Sequence, residues 1–193
     1  MKFLLLLLCL SAQAQVHIKY WSGGHERADL AVFAMQAWAK ASSGSLTVER
    51  VTNIDDAEIR FRWVEPRRRG LYGQSIATEQ NGKPVAEIII NPSFESLGPD
   101  MSVTAAKDPL FGEVILFLTC VHEAGHALGP EHTRDFADIM YSFEYGGDFL
   151  AYFQRYRARL KSRADMQSNS PLSSGDVKQI QAWMRRRMHN GSR

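Results

Sequence analysis

His122, Glu123, His126 and His132 stand in one short run, His122-Glu123-Ala124-Gly125-His126-Ala127-Leu128-Gly129-Pro130-Glu131-His132. On a helix, His122 and His126 fall about 40° apart around the axis and one turn apart along it. Two imidazoles so placed are a natural pair of ligands for a transition metal, zinc above all. Glu123, next to His122, can reach water at the metal without ligating it, so it is positioned for general-base work. His132 cannot join the pair on a continuous helix, because six residues beyond His126 lies about 240° around. Gly129 and Pro130 offer the break that would turn the chain back, glycine by accepting a left-handed cap and proline by refusing to continue the helix.

Three neutral imidazoles leave one zinc position open for water, and the metal can both acidify that water and polarise a carbonyl. The implied chemistry is hydrolysis, with His122, His126 and His132 as metal ligands and Glu123 as catalytic base. At this chain's own residue frequencies, the five fixed positions would match by chance about 2 times in 100,000 such chains. Packed or surface histidines are therefore the weaker explanation. The remaining candidates are weaker still. Cys120 falls about 200° from His122 on the helix, facing away. His17, His25 and His189 are isolated and expected at the surface. Arg155, Arg157, Arg159, Lys161 and Arg163 read as a solvated helix face, and Arg185-Arg186-Arg187 as an exposed end.

The surrounding pattern supplies elements to hold these groups. Val16, Ile18 and Tyr20 alternate with polar residues as in a strand, and Ser22-Gly23-Gly24 breaks it. Leu30, Phe33, Ala34, Ala37, Trp38 and Ala41 predict an amphipathic helix over about 25–41, stopped near Gly44. Strands are predicted at 46–51, 59–63, 74–78 and 85–90, with a loop at Arg67-Arg68-Arg69-Gly70, a turn at Asn81-Gly82 and a stop at Asn91-Pro92. Asp108-Pro109 opens the helix that carries the histidines. A further helix is predicted over 149–164, with Tyr152, Phe153, Tyr156 and Leu160 on one face. Ser173 and Asp176 resemble a capping box for a last helix through Trp183. The run 166–170 reads as the least structured stretch. The fold class is α+β: a twisted mixed sheet of four or five strands with the active-site helix and a C-terminal helix.

The 193-residue chain, 45% hydrophobic and 23% charged, suits one globular unit. Met1-Lys2, the apolar run at 3–10 and Ala12-Gln13-Ala14 predict a signal peptide cleaved after Ala14, leaving 15–193 as a single catalytic domain. The product is expected to be secreted, extracellular or periplasmic. Leu8 is bulky where a lipidated Cys9 would want a small neighbour. The apolar run is too short to span a bilayer, so no stable membrane insertion is expected. The net charge of +2, or +1 once Lys2 is set aside, argues against nucleic acid as a partner. Without the leader, Cys120 is the only cysteine, and no intrachain disulfide can form.

The histidine run resembles the zinc signature of metzincins, whose third histidine follows a glycine turn above a methionine turn. Met140, eight residues after His132 in Asp138-Ile139-Met140-Tyr141, gives the short spacing of the matrixin, or matrix metalloproteinase-type, branch. That resemblance implies a zinc endopeptidase acting on protein or peptide substrates as a monomer. It implies a substrate stretched along an edge strand near 73–78, with an apolar preference just after the scissile bond set by residues 141–145. Residues 64–90 contain no His and no Asp, unlike the matrixin loop that holds a structural zinc and calcium, so one catalytic zinc is expected and calcium is not indicated. Ser142 stands where matrixins usually have proline, and some other metzincins a tyrosine ligand. No cysteine-switch segment lies between Ala14 and the first strand, so the chain from Gln15 is expected to be active untrimmed. The segment 143–171 is longer than usual and carries an extra helix. The alternative is a secreted binding module that keeps zinc for stability and does not catalyse; a retained glutamate at position 123 speaks against it.

Overall fold

The computed structural model describes residues 15–64, 72–94 and 97–190. The expected leader and the arginine loop at 67–70 lie outside them. Five strands, β1 (Val16–Trp21), β2 (Leu46–Arg50), β3 (Ile59–Trp63), β4 (Gly73–Gln80) and β5 (Lys83–Ile90), form one sheet in the order β2-β1-β3-β5-β4. The first four in that order run parallel, and β4 alone runs antiparallel, against β5. Asn81 and Gly82 both take positive φ, 52° and 74°, as a tight two-residue hairpin requires. β4 is thereby an edge strand, largely exposed to solvent.

Helices α1 (Ala28–Ala41), α2 (Pro99–Lys107), α3 (Pro109–Leu128), α4 (Phe149–Arg157), α5 (Asp165–Ser168) and α6 (Ser174–Asn190) complete the described chain. α3 is the hub. Asp108 caps it by accepting from the Phe111 amide, and Pro109 opens it. Its buried residues lie on nearly every side, from Phe111 to Leu128, because it meets α1, α2, α4, β4 and β5. Trp38 of α1 fixes the main crossing, its indole Nε1 donating to the Val121 carbonyl at 2.8 Å. The core runs without interruption from Ile18 to Met184.

Two helices were not legible in the sequence. α2 has only Met101 and Ala105 buried, four residues apart, too few apolar positions to set a period. α5 sits in the stretch read as unstructured, anchored by Met166 at 2% exposure and by Asp165 accepting from the Lys161 and Ser162 amides. The helix expected over 149–164 ends at Arg157, with Leu160 still buried as its pattern required.

Of the basic residues expected to form a solvated face, Arg159 and Lys161 are exposed, while Arg155, Arg157 and Arg163 are partly buried in contacts. Arg157 reaches Asp108 at 2.7 Å, tying α4 to the start of α3. Arg163 binds both oxygens of Asp29 on α1 and donates to Glu113 on α3 at 2.8 Å. The Arg163 bond lowers the Asp29 carboxyl below its ordinary value by more than burial raises it. Such a depressed carboxyl stabilises the fold above its unfolded pKa, about 3.9, and loses that contribution as pH falls through the lower folded value. Arg163→Met should therefore cost about 1 kcal/mol at pH 7, the upper range for a partly exposed bidentate pair. Urea unfolding of the metal-free protein should show the gap between variant and parent closing below about pH 4. A gap that persists at about pH 2 would contradict this assignment.

Candidate metal centre

α3 carries His122, Glu123 and His126, and ends where the sequence requires. Gly129 takes φ 113°, a left-handed cap, with its amide on the Gly125 and His126 carbonyls at 2.9 and 3.2 Å. The chain reverses, and His132 comes back over the helix. Its Nε2 stands 3.2 Å from His122 Nε2 and 3.0 Å from His126 Nε2. Tetrahedral zinc with arms of about 2.0–2.1 Å places its nitrogen ligands roughly 3.3 Å apart, so both contacts of His132 match that spacing and the donor set fits the ion in number and type. Among the described residues, these three form the one group of His, Cys, Asp or Glu side chains close enough to share a metal.

The protonation states suit a ligand set. His122 Nδ1 donates to the Ile139 carbonyl at 2.7 Å, which leaves the Nε2 lone pair directed at its partners. Burial, and then the neighbouring imidazoles, push His122 down to about 4 against the opposing pull of that bond. His126 is lowered as well, by burial and then by His132. Both rings are neutral at physiological pH, the state that binds metal. Glu123 is 8% exposed, and burial pushes its carboxyl up to about 7 despite a hydrogen bond from the Ser75 backbone. β4 passes directly over it: a Cβ at Gly73 would lie 2.8 Å from Glu123 Oε1.

Met140 is fully buried beneath the histidines. At Gly125, between the two helical histidines, a Cβ would run into Met140 Sδ and lie 2.9 Å from Trp38 Cζ2. The glycine inside the histidine run is thus what lets the methionine turn and α1 close on α3. The turn is held from α6 by Asp176, whose carboxylate accepts from the Ile139 amide at 2.8 Å and the Met140 amide at 3.2 Å. Asp176 also accepts from the Ser173 amide, and its own amide donates to Ser173 Oγ, so the expected capping box is present. Its second task, as anchor of the methionine turn, has no local signature. Burial raises this carboxyl above its ordinary value in spite of the three amides.

An apolar cavity of about 220 Å³ opens beside Glu123 and His122, floored by Leu118 and Thr119 and walled by Phe143, Phe149, Tyr152 and Phe153. Of the five residues expected to shape such a pocket, 141–145, Phe143 alone lines it, and α4 supplies most of the wall. Tyr141 is buried with its hydroxyl on the Gly146 carbonyl, while Tyr145 is exposed. A larger hollow, about 490 Å³, lies away from the histidines at Arg27, Glu113 and Arg163, where Glu113 pairs with both arginines and Arg163 also pairs with Asp29. Of the isolated histidines expected at the surface, His17 and His189 are exposed and His25 is half-buried. His17 meets Glu49 at 2.9 Å, and His25 stacks on Trp63 with ring centres 4.6 Å apart. Cys120 is fully buried, with its thiol pushed up by burial.

Asp176→Ala would strand the Ile139 and Met140 amides in the interior. Thermal or urea unfolding should show a loss of about 2 kcal/mol or more, given roughly 1–3 kcal/mol for each buried donor left unpaired. Unchanged stability would mean that the methionine turn does not depend on α6.

The profile of the matrixin family, peptidase family M10, matches residues 11–148, a span that includes the whole sheet, His122 to His132 and Met140. Among solved structures, the archaemetzincin of Methanopyrus kandleri is similar with a TM-score of 0.49 at 11% identity, over 91% of this chain and 99% of that one. A comparison with curated protein sequences finds no match. With its five-stranded sheet, its histidine triad and a family match over most of its length, this chain belongs to the matrixin family of zinc metallopeptidases.

Proposed function

We propose that this protein is a secreted endopeptidase in which His122, His126 and His132 hold one zinc ion and Glu123 is the general base. The observation that carries this reading is the meeting of three Nε2 atoms beside a buried carboxylate on the same helix. Secretion rests on the basic start, apolar run and small residues of positions 1–14. Residues 15–193 act as one catalytic domain and as a monomer, and no helix among the described residues is long and apolar enough to cross a membrane.

Bound zinc would supply a Lewis acid that polarises a peptide carbonyl and lowers the pKa of water. The chain's own groups do the rest. The outer edge of β4 offers free backbone groups to an extended substrate, and strand addition of that kind reads main chain rather than side chains. The substrate side chain just after the scissile bond enters the apolar cavity, which favours aliphatic or aromatic groups. Glu123 takes a proton from the attacking water and delivers it to the leaving amine nitrogen. Its raised pKa makes that carboxylate a competent base near neutrality, and positive charge gathered by the imidazoles would lower the value again. His122 stays aligned through its bond to Ile139. β4, lying on Glu123, limits the water that reaches it.

Glu123→Gln keeps all three imidazoles. It should bind one zinc per chain by metal analysis while peptide cleavage falls by about 10² to 10⁴-fold. Near-normal turnover by the zinc-loaded variant would remove Glu123 from the role of base. Parent protein that binds zinc yet cleaves nothing in an unfolded-protein and peptide panel would support the binding-module alternative. Two zincs per active chain would contradict the single site.

A further inference from the structure

His122 has two nitrogens, and its aim depends on the one that does not face the other histidines. That nitrogen, Nδ1, donates to the Ile139 carbonyl at 2.7 Å. The same carbonyl also takes a share of a second donor, a single hydroxyl proton held between two carbonyls. The hydroxyl of Tyr152, on α4, lies 3.2 Å from the Ile139 oxygen and 3.1 Å from the Asp138 oxygen. Tyr152 is 4% exposed, and its ring forms part of the wall of the cavity beside Glu123. Phe143, Phe149 and Phe153 line the same wall with no polar atom, as an apolar pocket prefers. A phenylalanine at 152 would line it equally well without the cost of burying a hydroxyl. Of the hydroxyls along the cavity, that of Thr119 returns to the Ile115 carbonyl of its own helix, that of Tyr72 is buried without a hydrogen-bond partner, and that of Tyr152 reaches the methionine turn. Arg155 braces it, with Cζ 4.3 Å over the Tyr152 ring and its guanidinium donating to the Phe136 carbonyl.

On the reading that the three histidines hold zinc in a peptidase, we propose that Tyr152 is a positioning residue for the metal centre. Its hydroxyl fixes the direction of the Ile139 carbonyl, and that carbonyl sets the ring of His122. Its ring serves the substrate cavity separately. The two parts of one side chain therefore act on different kinetic constants, the hydroxyl on metal affinity and kcat, the ring on KM and side-chain preference. Outer-shell partners of zinc-binding histidines characteristically control both metal affinity and activity in this manner.

Four proteins test this: the parent, Tyr152→Phe, Tyr152→Leu and Tyr156→Phe. Tyr156 is the control, a buried phenol on the same helix that donates to the Asn169 carbonyl at 2.6 Å, away from the methionine turn. Zinc affinity is read by competition with a chromophoric chelator, and stability from the melting of metal-free protein. kcat and KM are read on a peptide that the parent cleaves. Tyr152→Phe should weaken zinc binding by about 10-fold and lower kcat, with KM within about twofold of the parent. Tyr152→Leu should add a rise in KM for peptides with a large apolar residue after the scissile bond. Tyr156→Phe should lose stability while keeping its zinc affinity and kcat. The proposal is overturned if Tyr152→Phe stays within about twofold of the parent in zinc affinity and kcat, or if Tyr156→Phe weakens zinc equally. A parent that binds and cleaves alongside a normal Tyr152→Phe refutes the positioning role alone. A parent that takes up no zinc refutes the peptidase reading, and the positioning role with it.

Discussion

Two imidazoles one turn apart on a helix make only part of a metal site, and a third carried on by the same helix would point away from them. The site therefore needs the helix to stop one residue after Leu128 and the chain to fold back on itself. Gly129 makes that possible with a backbone conformation that residues with a Cβ rarely adopt. Once the chain has reversed, the backbone of Thr133 pairs with Met140 and Ser142, and the returning strand brings the methionine turn under α3. The position of His132, the burial of Met140 and the alignment of His122 all descend from that one reversal.

The methionine turn is then gripped from two sides by elements that follow it in sequence. α6 takes its amides through Asp176, and α4 reaches the Asp138 and Ile139 carbonyls through Tyr152, with Arg155 donating to the Phe136 carbonyl just before the turn and to that of Asp138. A short irregular segment buried beneath a metal site must satisfy every backbone group with something, and here side chains do what a sheet or helix ladder would do elsewhere. α3 offers the turn a surface with a gap at Gly125, filled by Met140 and Trp38. Histidines, turn and helix crossing thus meet at one glycine, where a Cβ would collide with both Met140 and Trp38.

Much of this was legible from residue types alone. The triad and Glu123 could be located because metal ligation imposes a spacing, and the spacing imposes a break that Gly129 and Pro130 supply. The strands could be located because alternation survives wherever one face is buried, as at Ile59 and Phe61. The turn at Asn81-Gly82 could be located because few residues tolerate its dihedrals. What escaped has a common cause. α2 and α5 bury only two residues and one residue respectively, which leaves no period to detect. Asp176 looks like a helix cap because it is one, and its bonds to the methionine turn span 37 and 36 residues. Arg157 and Arg163 look like solvent-facing charges until Asp108, Asp29 and Glu113 come beside them from 49, 134 and 50 residues away. Partnerships of that range are products of the tertiary fold.

The anchoring of the methionine turn by Asp176 also bears on the order in which the molecule comes into being. A growing chain presents His122, His126 and His132 well before the residue that secures the turn beneath them. Until the last helix has emerged and docked, two amides of that turn lack their buried acceptor, and the carbonyl that aims His122 belongs to a loop with one side unsecured. The turn beneath the histidines is accordingly secured only with α6 in place, and not by the segment that contains them alone. One aspartate in α6 thus ties the geometry beneath His122, His126 and His132 to a part of the chain made after them.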